Sequence, residues 1–496
     1  MSAARLEPIL PSHGLWHLQK DSANAYAVVK DGRALLIDPV VRWTNADLKT
    51  MGARTVDAVV LLRPSARGLL HGRPWKTPIH LNAEAEGLLD RKYLAARQRY
   101  APRTPVSSFY DPPTDAPERM RFDLGEGVNF EWRGWRFCFL KTPGQTEVAL
   151  TLLMETPNRL FAFCGDAVCE DGRYWNPHHL EWDHWTSTGI RAALRGLDRL
   201  SNLPVTDLLP SHGNPVRKGV RAAIRKTRRH LAVWSEVKEA FVPGVNVKPW
   251  KTEEAGHGAH RLLPRLYHLG ASAYLVAGKA GAGLLIDALP SHREAVRHFM
   301  RLGKIARITA TATHYHCDHV DGLNQWRRLF AADVVLTKPL SPIIGRPNHW
   351  RHLPFLGEPL EGTPEIFATH EAPLDIGGLK VTWHDMPGQT RFHDGISIRL
   401  DETLVLFSGD NFFSPLRYNG TGGCCVANQS APECYGVSAE KVLRLKPDLI
   451  ATGHSTAFHF SPQYFRAVQK WAVKYRSALE QLHHPDDHDG YFSRNS

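Results

Sequence analysis

The amino-acid sequence predicts a protein of mixed α/β (α+β) structure, built from two similar domains in tandem. Its 496 residues exceed what one hydrophobic core usually supports. Segments with the apolar or β-branched pattern of strands are interspersed with segments that repeat apolar residues at helical spacing. A set of motifs also occurs twice in the same order. Length, patterning and repetition therefore agree on two domains of one class.

The repeated motifs fall at nearly equal spacing in the two halves. Each half opens with two predicted strands that end at an aspartate, Asp38 or Asp287. Glutamine and aspartate are then 21 positions apart in both halves, and aspartate and histidine are 46 and 44 positions apart. The motifs that carry these residues are Pro143-Gly-Gln145-Thr and Pro387-Gly-Gln389-Thr, Cys164-Gly-Asp166 and Ser408-Gly-Asp410, and Ser211-His212 and Gly453-His454.

The repeat also predicts where the domains begin and end. A helical segment follows the last motif of each half. Between the halves lies a stretch rich in Pro and Gly. We expect a first domain at residues 1–245, a linker at 246–261, a second domain at 262–482 and a loose C-terminal tail at 483–496.

The composition excludes several classes of protein. The chain is 43% hydrophobic and 22% charged, as in soluble globular proteins. It lacks a run of about 18 apolar residues, so we expect no membrane span, and its N-terminus lacks the apolar region of a secretory signal. Seven cysteines in so long a chain do not make a disulfide framework. We expect a reduced, cytoplasmic protein with no membrane partner.

A formal net charge of +11 raises the question of an anionic partner. Arg and Lys are dense over residues 217–229, where they alternate with apolar residues on a helical pattern. A solvated helix face is favoured over a nucleic-acid surface, because no recognised binding module accompanies the run. The expected partner is a small-molecule substrate, with an anionic one among the options, and nucleic acid is less favoured.

A cluster of potential metal ligands directly follows a predicted buried strand in the second half. The strand, at residues 305–313, is rich in β-branched residues and ends at His314-Tyr-His316-Cys-Asp318-His319. His314 and His316 are two positions apart, so in extended backbone their side chains point the same way. One loop can thus give two imidazoles to one metal and a carboxylate and an imidazole to another. Zinc accepts such nitrogen and oxygen donors.

The order His-x-His-x-Asp-His after a strand resembles the signature of the metallo-β-lactamase superfamily. The downstream motifs that end at Thr390, Asp410 and His454 follow in the order of that family. The resemblance implies an αββα sandwich with metals at one edge of its two sheets and, given the repeat, two such sandwiches in tandem.

The resemblance also implies a set of ligands. His314 and His316 would hold the first metal, and Asp318, His319 and His454 the second. Asp410 would bridge the two. The implied cofactor is zinc, as one or two ions, with iron and manganese as alternatives. A hydroxide on the metals would attack the substrate, and Asp318 would orient or deprotonate that nucleophile.

The sequence departs from the family at Gln389, where a histidine usually completes the first metal site. Three interpretations remain open. Gln389 binds the metal through its amide oxygen, it supports the site only by hydrogen bonds, or His393 or His384 replaces it. His393 is otherwise expected to line the substrate pocket or to act as a donor behind the ligands. Since an amide oxygen is a neutral ligand, we expect the first metal site to bind more weakly than the second.

The first half has lost the clustered ligands. Aligning the strands places Arg63, Ser65, Arg67 and Gly68 where the second half has His314, His316, Asp318 and His319. The fixed positive charge of arginine opposes a nearby divalent cation. We therefore expect a non-catalytic first domain in which Asp166 pairs with Arg63 or Arg67. Such a domain could serve as a built-in partner, making the protein a monomer with an internal pseudo-dimer.

The reaction is less closely constrained than the site. The leading hypothesis is a metal-dependent hydrolase that acts on a small ester, thioester or lactone. One alternative is a phosphodiesterase or nuclease, prompted by the basic charge, and another is an iron-dependent oxygenase of the same fold. Arg417, in an aromatic loop after Asp410, is a candidate for binding a substrate carboxylate or phosphate.

Overall fold

The computed structural model divides into two compact units. The described residues up to Glu236 and those from Ala478 onward form the first unit, and Val237–Ser477 belong to the second. The structure describes residues 3–64, 71–88, 119–144, 146–180, 189–239, 245–350, 353, 355–414, 428 and 430–487.

The described part of the first unit holds two sheets. Apolar side chains from both sheets, among them Tyr26, Ile37, Phe137 and Phe163, form one buried cluster, so the sheets pack face to face. The first sheet runs in the order β1 (Arg5–Leu10), β2 (Leu15–Lys20), β3 (Ala23–Lys30), β4 (Arg33–Ile37), β5 (Thr55–Val60), β6 (Ile79–Asn82) and β7 (Met120–Leu124). The second runs from β12 (Asp207–Pro210) through β11 (Arg159–Gly165), β10 (Leu150–Thr156) and β9 (Trp135–Lys141) to β8 (Asn129–Trp132).

Helices of the first unit connect these strands. The basic run predicted to be helical lies at the start of the fourth of them, and its Arg and Lys side chains are mostly exposed. The solvated helix face expected there is consistent with that exposure. The helices are α1 (Asn45–Thr50), α2 (Ala85–Leu88), α3 (Gly189–Ser201) and α4 (Val220–Glu239), of which α4 ends in the second unit.

The described part of the second unit also holds two sheets. Residues of both, including Leu284, Val335, Trp383 and Phe407, share a buried cluster between the sheets. One sheet runs in the order β13 (Glu253–Gly256), β14 (Ala259–Leu263), β15 (Leu266–Gly270), β16 (Ala273–Ala277), β17 (Ala282–Ile286), β18 (Arg307–Thr311), β19 (Asp333–Thr337) and β20 (Ile366–Ala368). The other runs in the order β21 (Pro373–Ile376), β22 (Leu379–Asp385), β23 (Asp394–Leu400), β24 (Thr403–Gly409), β25 (Leu449–Thr452) and β26 (Phe458–His459).

Helices cover the outer faces of these sheets. Val296, Phe299 and Trp326 pack with Ile308 and Val334 on the face of the larger sheet that points away from the smaller one. The mixed α/β class with a sheet-on-sheet core is thus confirmed. The helices are α5 (Arg293–Arg301), α6 (Cys317–Val320), α7 (Leu323–Phe330), α8 (Ser341–Gly345), α9 (Pro432–Leu445) and α10 (Pro462–Leu482).

Two segments differ from the sequence-based expectation. The stretch 246–261, expected to be a linker, contributes the hairpin β13–β14 to the larger sheet of the second unit. Gly256, His257 and Gly258, which the sequence places in the linker, all have positive φ, and His257 and Gly258 form the hairpin turn between the paired residues Gly256 and Ala259. Residues 483–487 of the expected loose tail are packed in the first unit, where Asp487 is fully buried and accepts a hydrogen bond from the backbone N–H of Asn176 at 2.9 Å.

Candidate metal centre

The His-rich loop lies where β18 ends. The parallel strands β17 and β18 carry the chain to this edge of the sheet, a common location for functional groups. The backbone then turns into α6, which begins directly after His316. His314, His316 and His319 are all less than 5% exposed. Imidazoles this deeply buried need partners for their nitrogens.

The first ligand group comprises His314, His316 and Asp410, whose donor atoms lie within 4.8 Å of one another. The Nδ1 of His314 is 3.1 Å from the hydroxyl of Thr313, which leaves Nε2 facing the group. The Nε2 of His316 is 3.0 Å from Oδ1 of Asn428, which leaves Nδ1 for a metal. Hydrogen bonds of this kind fix the ring orientation of metal ligands.

The second ligand group comprises Asp318, His319 and His454, again within 4.8 Å of one another. The Nε2 of His454 is 3.0 Å from Oδ2 of Asp318 and 3.6 Å from Oδ2 of Asp410. The Nε2 of His319 is 3.5 Å from Oδ1 of Asp410. Asp410 therefore lies within reach of both groups, as a bridging carboxylate would.

Asp287 stabilises the His-rich loop through contacts with Thr313 and His319. Its carboxylate accepts hydrogen bonds from the backbone N–H and the hydroxyl of Thr313 at 2.7 and 2.8 Å. Its Oδ2 also lies 3.0 Å from Nδ1 of His319. One buried aspartate thus holds the backbone before His314 and the imidazole of the second ligand group.

The electrostatics of the first ligand group and of Asp318 suit metal binding, whereas nearby carboxylates raise the pKa of His319 and of His454 against their burial. Burial, together with His319 and His316, lowers the pKa of His314 well below its usual range. Burial lowers the pKa of His316 to about 4. Burial opposes ionisation of Asp318, but His319 and His454 outweigh it and lower the pKa of that carboxyl. At neutral pH His314 and His316 therefore offer free lone pairs, and Asp318 offers a carboxylate.

Gln389 lies beside the bridging carboxylate. Its Nε2 donates to Oδ2 of Asp410 at 3.0 Å, and its backbone N–H donates to Oδ1 of Asn411 at 2.8 Å. Gln389 is only 1% exposed, and its Oε1 is buried without a hydrogen-bond partner. An unpartnered buried amide oxygen costs free energy unless a ligand satisfies it. The geometry is compatible with both a liganding and a supporting role.

The two candidate replacements for Gln389, His384 and His393, have their ring nitrogens in other contacts. His384 contacts Oε2 of Glu371 through Nδ1 at 2.7 Å and the hydroxyl of Ser397 through Nε2 at 2.8 Å. The structure therefore contradicts the interpretation in which His384 takes over the ligand position, because neither ring nitrogen is directed to the centre.

His393 lies behind the ligands instead of in an open pocket. Its ring stacks on that of His314, with centroids 4.8 Å apart. Its Nε2 faces the backbone N–H of Asp410 at 3.3 Å, and burial lowers its pKa to about 3. At 1% exposure it lines no open surface, so the structure favours support of His314 over contact with a substrate. Arg417, the other substrate-binding candidate, lies outside the described residues.

Three residues that orient the ligands are not among the predicted site residues: Thr313, Asn411 and Asn428. Thr313 precedes the cluster, and Asn411 follows Asp410 directly, so their proximity was a usable signal. Asn428 belongs to none of the motifs and carries no pattern. Gly409 has its own local reason, because a Cβ at φ 49° would lie 2.5 Å from the Thr313 hydroxyl and 2.7 Å from the His393 ring.

The corresponding place in the first unit is filled by a cation. The guanidinium of Arg63 pairs with Asp166 in the interior, as one of the two expected pairings proposed. Nδ1 of His212 contacts the other carboxylate oxygen at 2.7 Å. Burial would raise the pKa of Asp166, but the charges of Arg63 and His212 lower it. The indole of Trp175 stacks on His212, with centroids 4.3 Å apart.

The residues of the second unit fit a pair of divalent cations. Among the described residues, Nε2 of His314, Nε2 of His319, Oε1 of Gln389 and Oδ1 of Asp410 are buried without hydrogen-bond partners. Orphaned polar atoms are rare in protein interiors, and these belong to the two ligand groups and to Gln389 beside Asp410. Imidazole and carboxylate donors are the set that zinc and related metals accept.

The comparisons with known proteins agree with this centre. A family model described as the metallo-beta-lactamase superfamily matches residues 266–454. No curated protein matches. Across the described residues, no helix is both long and apolar enough to span a bilayer.

Similar solved structures include three metallo-beta-lactamases. That of Cronobacter sakazakii with the HARLDQ motif is 18% identical, with 49% of this chain and 98% of that chain covered and a TM-score of 0.35. GOB-18 of Elizabethkingia meningoseptica is 14% identical, with 48% and 99% covered and a TM-score of 0.33. BJP-1 of Bradyrhizobium japonicum, of subclass B3, is 16% identical, with 47% and 96% covered and a TM-score of 0.34. At such values the likenesses carry no argument about activity, and the assignment rests on the family match: residues 266–454 are a domain of the metallo-beta-lactamase superfamily.

Proposed function

We propose that the second unit is a metal-dependent hydrolase that acts on a small ester, thioester or lactone. The observation that carries the proposal is the convergence of the two ligand groups, His314, His316 and Asp410, and Asp318, His319 and His454. Buried imidazole and carboxylate groups that meet without full hydrogen bonding are costly unless a cation joins them. The centre therefore suits chemistry that begins from a bound divalent metal.

Zinc is the metal we propose, in one or two positions, because it accepts three or four nitrogen and oxygen donors at each. Such a metal supplies a water acidic enough to be a nucleophile near neutral pH, and a Lewis acid for the acceptor oxygen. The side chain of Asp318 is 44% exposed, whereas that of Asp410 is 3% exposed. Asp318 is thus the carboxylate that can reach a substrate, orient the attacking water and receive its proton at Oδ2.

We infer further that the first unit is a degenerate copy without its own reaction. The first support is the strand order, because β2 to β5 are neighbours in their sheet in the same sequence as β15 to β18 in the second unit. The second support is the Arg63–Asp166 pair, which lies where the second unit has ligands. A guanidinium at this place satisfies the buried carboxylate and excludes a dication by charge. The protein would then be a monomer with one reaction centre.

The test combines metal analysis with a panel of p-nitrophenyl ester, thioester, lactone and phosphodiester substrates. We expect bound zinc and hydrolysis of one of the first three classes. Both are expected to be lost after chelation and in His314→Ala, and kept in the matched first-unit variant His212→Ala.

The alternative functions predict different results in the same panel. Phosphodiester cleavage with salt-sensitive binding of RNA or DNA would replace the proposal with a nuclease. Tightly bound iron with no hydrolysis would replace it with an oxygenase. Hydrolysis that survives both chelation and His314→Ala would refute the metal-dependent mechanism altogether.

A further inference from the structure

The described part of the second unit contains a cavity of about 560 Å³ that opens beside His454. Its walls come from the hairpin β13–β14, from the turn between β15 and β16, and from the loop that follows His454. The hairpin precedes residues 266–454, over which the family model matches. The side chain of His454 is 20% exposed and forms the border between cavity and ligands.

The first unit has the equivalent pair of strands, β2 and β3, but the turn between them is longer than the turn between β15 and β16, which borders the cavity. His17 pairs with Tyr26 across β2 and β3, as His268 pairs with Tyr274 across β15 and β16. Eight residues separate the first pair along the chain, whereas five separate the second. The second unit is therefore three residues shorter at the point where the turn approaches the histidine loop.

In the first unit the longer turn occupies the corresponding space. Ala23 forms an antiparallel bridge with His212, and the backbone N–H of Gly213 donates to the carbonyl of Ser22 at 2.7 Å. The amide of Asn24 donates to the carbonyls of Pro210 and Gly213 at 2.9 and 2.6 Å. The turn thus closes onto the loop in one unit, while the shorter turn of the other leaves an opening next to His454.

The chemistry of the lining restricts what the cavity can receive. Among the described lining residues there is no Asp, Glu, Lys or Arg. Leu262, Ala271 and Ala457 give apolar surface, Ser455 and Thr456 give hydroxyls, and His260, His268 and His454 give imidazoles. An anionic group would find no fixed countercharge here, whereas an alkyl or aryl group would replace water against apolar walls.

We propose that this cavity is the subsite for an uncharged, largely apolar group on the substrate, bound next to His454. The inference rests on the proposed hydrolase function, since it names the kind of substrate that the same centre takes. It assigns specificity to the hairpin β13–β14, in which His260 and Leu262 share the face toward the cavity and Arg261 points away.

The test varies the length of the acyl chain in p-nitrophenyl esters from acetate to octanoate. In the metal-loaded wild-type protein, kcat/KM should rise roughly fourfold for each methylene that the cavity takes in. His260→Trp narrows the cavity and should flatten this rise. His260→Ala should extend the rise to longer chains. Arg261→Trp, on the opposite face, is the matched control and should behave as the wild type.

Binding of unreactive anilides with the same acyl chains, measured by calorimetry, separates this inference from the proposed function. Length-dependent affinity in the wild type that is lost in His260→Trp supports the subsite even if no ester is hydrolysed. A chain-length dependence of hydrolysis or binding that is the same in the wild type and both His260 variants would overturn the subsite and leave the hydrolase in place.

Discussion

The aspartate and the histidine that the repeat aligns have different partners in the two units. In the second unit Asp410 and His454 face a group of imidazoles with unpartnered nitrogens. In the first, Asp166 and His212 face the guanidinium of Arg63. A buried carboxylate needs a cationic partner in either case, because its desolvation is otherwise uncompensated. The comparison teaches that replacing one ligand by arginine can keep the carboxylate satisfied while removing the reason for a metal.

The same comparison extends to access. Trp175 stacks on His212, and His484 lies against Trp175 with ring centroids 5.1 Å apart. Beside His454, the described residues instead border an open cavity. In the first unit an arginine paired with Asp166 and a covered His212 therefore occur together, and the described part of the second unit has neither feature at Asp410 and His454.

The largest effect is expected when one ligand is removed from the second unit. His314→Ala deletes a buried donor of the first group, so several kcal/mol of transition-state stabilisation should disappear. We expect kcat/KM to fall at least roughly a thousandfold, with loss of bound metal measured by mass spectrometry.

The control is His212→Ala, which should leave metal content unchanged. Equal loss of metal in the two variants would show that the first unit also binds a metal, which contradicts its assignment as a degenerate copy.

The second prediction concerns the cation that replaces the metal. Asp166→Asn removes the carboxylate that faces the buried Arg63 and should destabilise the first unit by about 3 kcal/mol, measured by denaturant unfolding. The pKa of Asp166 is lowered in the folded protein, so its stabilisation is complete above the unfolded pKa of about 3.9 and is lost as the pH falls toward the folded value. The difference between wild type and variant should therefore shrink below about pH 4.

Asp198→Asn is the control for this variant. Asp198 is 49% exposed and pairs with Arg228 on the surface, so its loss should cost at most about 1 kcal/mol. If Asp166→Asn were as mild as Asp198→Asn, the Arg63 pair would not be what stabilises the interior of the first unit.

The third prediction sharpens the comparison within the second unit. Gln389 offers the first ligand group a neutral amide, whereas the second group is complete without it. Chelator competition should therefore release one metal before the other, and Gln389→His should tighten the weaker position by roughly 10–100-fold. Two metals bound with equal affinity by the wild type would contradict this ranking of the two positions.

Much of the centre could be predicted because its information is local or repeated. His314 to His319 lie on one loop, and the repeat drew attention to Asp410 and His454. Asn428 could not be found, because its contact with His316 spans 112 positions and depends on tertiary packing. The hairpin β13–β14 was missed because its Gly-His-Gly turn looks like linker sequence until the flanking residues are seen to pair.

The C-terminal tail was missed for a different physical reason. His483 to Asp487 are polar, and polar termini are usually solvated. Here Asp487 accepts a hydrogen bond from the backbone of Asn176, and His484 lies 3.3 Å from Glu170. These specific contacts compensate for the burial of polar side chains, which the composition of the tail does not predict. No sequence pattern predicts the contacts themselves.

The last prediction tests whether this tail helps to close the first unit. Asp487→Asn keeps the shape of the side chain but removes the charge from its buried hydrogen bond, so we expect a loss of about 1–2 kcal/mol in unfolding free energy. Asp486→Asn is the matched control, because Asp486 is exposed and an amide oxygen can still accept its 2.6 Å hydrogen bond from the Ser22 hydroxyl, so stability should change by less than about 0.5 kcal/mol. Equal effects of the two variants would mean that the tail lies on the first unit without stabilising it. Among the described residues, the closure of the first unit beside His212 would then depend on the turn at Ala23 and on Trp175.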